Sequence, residues 1–140
     1  MDKKERPVFL AMDYGAGSGR GIAGTLEDGY LEMQEIDRMS NDFVRVGDEC
    51  YWDIFRLYQF ICSCMEKTYV RFPDASARYV GVDTWGTDYG FLDKRGQPLG
   101  GCRCNRGGDK AGKAEVEQLL TRERLFKETG IQCTEGNTLY

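Results

Sequence analysis

The densest chemistry in the chain lies in Asp13-Tyr14-Gly15-Ala16-Gly17-Ser18-Gly19-Arg20. Gly15, Gly17 and Gly19 carry no Cβ, so the backbone can turn sharply and bring its N–H groups close to an anion. Ser18 adds a hydroxyl donor and Arg20 a positive charge, a combination suited to the terminal phosphates of a nucleotide. Asp13 suits Mg²⁺ held through water, because that ion takes few carboxylates and keeps much of its hydration shell. A glycine-rich hairpin without a ligand would carry the same pattern. Two other phosphate motifs fail on context. A Walker loop needs Gly-Lys-Ser/Thr opening a helix, and no lysine stands here. The dinucleotide fingerprint also needs a helix after its glycines, whereas a glycine-rich strand and a turn follow.

Other chemistries are excluded by composition. The chain has no histidine, which removes Ser-His-Asp and Cys-His nucleophiles and His-ligated metals from these 140 residues. Acid–base work would fall to carboxylates, Lys, Tyr or Cys. Six cysteines include the pairs Cys62-Ser63-Cys64 and Cys102-Arg103-Cys104. On a helix, Cys62 and Cys64 would project about 200° apart, a poor arrangement for one metal. They read as reduced cysteines acting as small apolar residues. A net charge of −4 with no basic run favours neither nucleic acid nor an anionic membrane surface. No apolar run reaches transmembrane length, and the charged opening from Met1 to Pro7 has no apolar signal region. The expected location is cytoplasmic.

The elements that must position the glycine loop are legible in outline. Val8-Phe9-Leu10-Ala11-Met12 is a short continuous apolar run and predicts a buried strand. Residues 20–26 predict a second strand, Glu27-Asp28-Gly29 a hairpin turn, and residues 30–38 a third, half-exposed strand. The chain thus opens as an antiparallel three-strand meander rather than a βαβ unit, which argues against a Rossmann fold within the α/β class. A helix is expected from about Asp53 to Val70. Its apolar face would be Ile54, Leu57, Tyr58, Ile61, Cys62, Met65 and Tyr69, and Phe72-Pro73-Asp74 would end it. Strands are expected at 77–83 and 89–93, with a turn over 94–97. An irregular loop is expected from Cys102 to Asp109. Helices follow over 112–120, with Val116, Leu119 and Leu120 buried, and over 122–129, capped by Thr121 and stopped at Gly130. No linker is evident, so one domain is expected.

Two motifs taken together carry a family resemblance. The Asp13–Arg20 segment resembles the first phosphate loop of the FGGY carbohydrate kinases. These have the actin-like ATPase fold built on ribonuclease-H-like domains. Gly81-Val82-Asp83-Thr84-Trp85-Gly86-Thr87-Asp88-Tyr89 looks like the Asp-Thr-Trp-Gly-x-Asp segment of the rhamnulokinase branch. Tyr51-Trp52-Asp53, Thr129-Gly130-Ile131-Gln132 and Asn137-Thr138-Leu139-Tyr140 are similar to it as well.

The resemblance implies transfer of the ATP γ-phosphoryl group to the 1-hydroxyl of L-rhamnulose or a related ketose, with ATP and Mg²⁺ required. The loop residues Asp13, Gly15, Ala16, Gly17, Ser18, Gly19 and Arg20 would hold the phosphates, and Asp13 the Mg²⁺ through water. Gly86 would line the sugar pocket with Asp83, Trp85 and Asp88. An indole face suits the apolar side of a sugar, and carboxylates accept from its hydroxyls; ordinary core packing would also account for Trp85. The family's Tyr-Arg-Asp-x-Arg-Thr loop is matched here by Asn105-Arg106-Gly107-Gly108-Asp109-Lys110, in which only Arg106 agrees. Family members are much longer, and a second domain supplies their catalytic aspartate. The resemblance therefore implies a partial N-terminal domain over 1–140, with the C-terminal domain absent and no catalytic base among these residues. An inactive remnant that binds phosphate, and another ATPase of the same superfamily, are the alternatives; Asp83-Thr84-Trp85-Gly86 favours a sugar substrate over the latter.

Overall fold

The computed structural model describes residues 6–107, 110–132, 134 and 136. The charged opening 1–5, Asp109, Cys133 and the 137–140 ending lie outside the described residues. In chain order the strands and helices are β1 (Pro7–Tyr14), β2 (Ser18–Glu27), β3 (Tyr30–Ser40), β4 (Phe43–Val46), β5 (Glu49–Trp52), α1 (Ile54–Arg71), β6 (Ala77–Asp83), β7 (Cys102–Arg103), a 3₁₀ turn (Asn105–Gly107), α2 (Lys110–Leu119) and α3 (Arg122–Thr129). They fall into two compact units. One holds the described residues up to Asp42 together with Ile54–Trp85, and the other holds Phe43–Asp53 and the described residues from Gly86 onward.

The first unit is a four-stranded sheet in the order β3-β2-β1-β6. β1, β2 and β3 form the expected antiparallel meander, and β6 runs parallel to β1. The β2–β3 turn puts Asp28 at φ 50° and Gly29 at φ 86°. Two consecutive positive-φ residues suit the right-handed twist of the flanking strands, which is why Asp-Gly works there. β1 corrects the sequence reading in one respect. Its apolar run is not buried on both faces: Val8, Leu10, Met12 and Tyr14 are buried, whereas Phe9 is 46% exposed and Ala11 is exposed as well. A strand with a helix on one face only shows this alternation.

That helix is α1. Phe60 and Cys64 close a core with Leu10, Met12 and Tyr14, flanked by Ile36, Met39, Leu57, Ile61 and Trp85. The expected apolar face was thus set too far round the helix. The buried positions are Phe60, Cys64 and Thr68, while Tyr58, Met65 and Tyr69 are exposed. The helix has two apolar faces, and periodicity alone does not say which one meets the sheet. Thr68 enters the core by donating its hydroxyl to Cys64 O at 2.7 Å, which satisfies a buried polar group within the helix. Cys62 is half-buried and Cys64 fully buried.

The second unit contains the antiparallel sheet β4-β5-β7. The β4–β5 hairpin had no place in the sequence reading, because residues 43–46 are exposed throughout and show no alternation. The expected strand over 89–93 is reduced to one bridge, Leu92 with Pro98. It closes a turn in which the Asp93 carboxylate accepts from the N–H groups of Arg95 and Gln97, each at 2.8 Å. These bonds hold the Asp93 carboxyl below the usual carboxylate range. The expected irregular loop after Cys102 contains β7 and the 3₁₀ turn, and Cys104 N–H donates to Cys50 O at 2.8 Å. α2 leaves Leu119 83% exposed and half-buries Val116 and Leu120, so Leu119 does not belong to its buried face. α3 is capped as expected: Thr121 accepts from Arg124 N–H, and Gly130 stands at φ 70°. No helix among the described residues is long and apolar enough to cross a membrane.

Candidate functional site

The glycine loop is a hairpin connection between antiparallel strands, with no helix after it. The register runs to Tyr14 opposite Gly19, and Gly15 N–H donates to Ser18 O at 2.9 Å. Gly15, Ala16 and Gly17 therefore form the tip, while Ser18, Gly19 and Arg20 already belong to β2. The three glycines serve different ends. A Cβ on Gly19 would lie 2.7 Å from the Tyr14 ring, so that glycine is required by packing. A Cβ on Gly17 would meet nothing within 4 Å, and one on Gly15 would meet only Ser18 O at 3.4 Å. The space over the tip is open, as an approaching phosphate needs, and packing does not explain Gly17.

A residue absent from the sequence reading holds this tip. Asn41, 4% exposed, donates its side-chain amide to Gly15 O at 2.8 Å and its backbone N–H to Gly17 O at 3.2 Å. Its partners lie 26 and 24 residues away along the chain, so no local pattern could have indicated it.

Asp13 forms an ion pair with the Arg20 guanidinium across β1 and β2. Both side chains are about two-fifths exposed (38% and 41%). Arg20 is thus engaged with a carboxylate rather than pointing freely at the loop, and its buried Nε has no hydrogen-bond partner among the described residues. On the other side of Asp13, β6 brings Asp83 directly alongside, Asp13 and Asp83 being register partners. Trp85, just past β6, packs against the core cluster, which accords with a packing role for its indole.

Gly86 and Asp88 belong to the second unit. A Cβ on Gly86 would meet nothing within 4 Å. Asp88 accepts from Trp52 Nε1 at 2.5 Å on one carboxylate oxygen and from Asn105 N–H at 3.0 Å on the other. Asn105 also donates its side-chain amide to Thr87 Oγ1 at 2.8 Å. The atypical loop beginning at Asn105 therefore pins Thr87-Asp88, and Asp88 anchors the second unit besides any contact with a sugar.

Two groups below the glycine loop are strongly perturbed. Tyr14 donates its hydroxyl to Leu57 O at 2.6 Å. Burial, followed by the neighbouring Cys64 and Cys62 thiols, pushes its pKa up to about 12. Burial first, then the Asp37 charge, pushes Cys64 up to about 11. Both stay protonated at neutral pH, so neither serves as a base or a thiolate nucleophile there.

No family model matches the chain. Curated proteins do. Rhamnulokinase of Bacteroides thetaiotaomicron is 35% identical over 133 residues, covering 94% of this chain and 27% of that protein. Rhamnulokinase of Bacillus subtilis is 35% identical over 136 residues, covering 95% and 27%. The chain thus spans about a quarter (27%) of the length of the curated relatives it matches. Among solved structures, gluconate kinase from Lactobacillus acidophilus superposes with a TM-score of 0.73 at 9% identity, covering 91% of this chain and 25% of that one. That likeness concerns the fold, an actin-like α/β arrangement opening with the antiparallel strands β3-β2-β1. The chain is therefore similar in sequence to rhamnulokinases over nearly all of its own length, and in fold to gluconate kinase.

Proposed function

We propose that these residues form the phosphate loop and part of the sugar pocket of an ATP-dependent carbohydrate kinase, with L-rhamnulose phosphorylated on its 1-hydroxyl. The observation that carries the reading is the parallel pairing of β1 with β6. It sends the glycine loop and Asp83-Thr84-Trp85 out of the same end of one sheet, at the carboxyl ends of adjacent parallel strands, where ligands of open α/β sheets bind. Asp13 and Asp83, 70 residues apart in the sequence, are neighbours in the sheet.

The residues present fit a nucleotide. The open backbone at Gly15 and Gly17 and the Ser18 hydroxyl would hold the terminal phosphates, with Arg20 adding positive charge beside them. Asp13 would hold Mg²⁺ through water; when bound, that ion neutralises charge on the phosphates. Within the first unit, Asp83 would face the sugar and Trp85 would offer its half-buried indole edge; within the second unit, Asp88 would position Thr87 and Gly86. Catalysis of this kind is mainly positioning and electrostatics. In this proposal Asp13, Asp83 and Asp88 take binding and positioning roles and none of them takes the role of general base, so the 140-residue chain by itself is proposed to bind without turning over. A cytoplasmic location belongs to the same proposal.

A coupled assay of ATP consumption with L-rhamnulose, run beside direct binding of MgATP, tests this reading. Binding with background turnover is expected. Turnover by the purified chain that disappears in Asp13→Ala would place a complete site in these residues and overturn the division of labour.

A further inference from the structure

The tip of the glycine loop is exposed at Gly15, Ala16 and Gly17. Glycine-rich backbone loses much conformational freedom when it is fixed, and a loop that must be ordered by its ligand binds more weakly than one already in place. The tie that orders this loop comes from the strand end beyond β3. Ser18 pairs with Ser40, and the next residue, Asn41, uses both of its amides on the loop, side chain to Gly15 O and backbone to Gly17 O. Peptide units are planar and trans. Fixing those two carbonyls therefore also fixes the directions of the Ala16 and Ser18 N–H groups, which belong to the same peptide planes and point the opposite way.

We infer that Asn41 is a positioning residue that presets the Gly15–Ser18 backbone for an anionic phosphate ligand. This rests on the reading of the loop as a phosphate site. The side chain suits the task for stated reasons. It is buried, so its amide must find a partner. Aspartate at the same place has the same shape but no donor, and would set a carboxylate against the Gly15 carbonyl.

The test uses the ¹⁵N-labelled 140-residue chain, its Asn41→Ala and Asn41→Asp variants, amide exchange, and MgATP titration. Losing one hydrogen bond of ordinary strength costs about 1 kcal/mol, roughly a fivefold change in an equilibrium constant. Exchange at the Gly15 N–H and the residue-41 N–H is expected to speed up about fivefold in both variants. The amides of Met12 and Ala23 should keep their protection, which separates local positioning from general destabilisation. MgATP should bind Asn41→Ala about fivefold more weakly, a comparison free of the added charge in Asn41→Asp. Unchanged exchange at Gly15 together with unchanged MgATP affinity in Asn41→Ala would overturn the inference, as would an equal loss of protection at Met12 and Ala23. Absence of MgATP binding by the wild-type chain would instead overturn the phosphate reading of the loop, and the exchange data would then decide the role of Asn41 in holding it.

Discussion

Asp13 and Asp83 stand side by side, as register partners at the ends of the parallel strands β1 and β6. Among the described residues, Asp13 is offset by a cation, the Arg20 guanidinium, and Asp83 is not. The end of the sheet from which the glycine loop emerges thus carries two carboxylates and one arginine, an asymmetric charge pattern suited to a phosphate together with its metal ion. Asp13→Asn breaks an ion pair that is well exposed on both sides, so stability should fall by no more than about 1 kcal/mol. MgATP affinity should fall by more than that. Urea unfolding and calorimetric titration of the same variant compare the two losses; a large stability loss with unchanged affinity would make Asp13 a structural residue.

The glycines of the loop and β2 should separate by phenotype. A Cβ on Gly19 would clash with the Tyr14 ring at 2.7 Å, and one on Gly21 with Cys64 Sγ at 2.6 Å. Forcing a methyl group into packed contacts costs about 1–3 kcal/mol, so Gly19→Ala and Gly21→Ala should lower the unfolding free energy by that amount. Gly17→Ala meets nothing within 4 Å and should leave stability within about 0.5 kcal/mol while weakening MgATP binding. Equal destabilisation by Gly17→Ala and Gly21→Ala would contradict the packing described for this face.

Alkaline pH should loosen the first unit. Tyr14 rises from 10.0 to about 12 and Cys64 from 9.0 to about 11 in the folded chain. Both groups are neutral when protonated, and the fold favours that form, so the unfolded chain releases these protons first. Their contribution is complete below about pH 9 and is lost as pH rises toward 12. Tyr14→Phe should remove the part lost above pH 10, together with about 1 kcal/mol at neutral pH for the hydrogen bond to Leu57 O. Urea midpoints measured from pH 8 to 12 give the curve; a flat profile would contradict the burial of both groups.

Asp88 should behave as an anchor. Hydrogen bonds to a charged group contribute about 1.5–3 kcal/mol each, and Asp88 accepts from Trp52 and Asn105. Asp88→Ala should therefore destabilise the second unit by at least about 2 kcal/mol and change Trp52 fluorescence. Asp88→Asn should retain part of the loss, because its oxygen can still accept one of the two bonds. Near-wild-type stability of Asp88→Ala would return this residue to a purely ligand-facing role.

The meander, α1, β6 and the capped α3 were legible because their signals are local: an Asp-Gly turn, a proline stop, a Thr cap and a terminal glycine. The two motifs on which the proposed site rests were legible as well. Their adjacency was not, since the β1–β6 pairing joins segments about 70 residues apart and no composition or period encodes it. The same holds for Asn41 under Gly15 and for Asn105 on Asp88, whose partners are 26 and 17 residues away. Where the reading of α1 slipped, two apolar faces competed. Gly21 decides between them, since only a glycine there admits Cys64 so close.

The most direct test of the central claim is a titration of the ¹⁵N-labelled chain with MgATP, following the backbone amides of residues 13–20 in wild type and in Ser18→Ala. The account predicts saturable shifts centred on Gly15, Gly17 and Ser18. In Ser18→Ala the affinity should drop roughly ten- to hundredfold, because a hydrogen bond to a charged phosphate contributes about 1.5–3 kcal/mol. Shifts centred elsewhere in the chain, or no saturable shift at this loop in the wild-type protein, would contradict it.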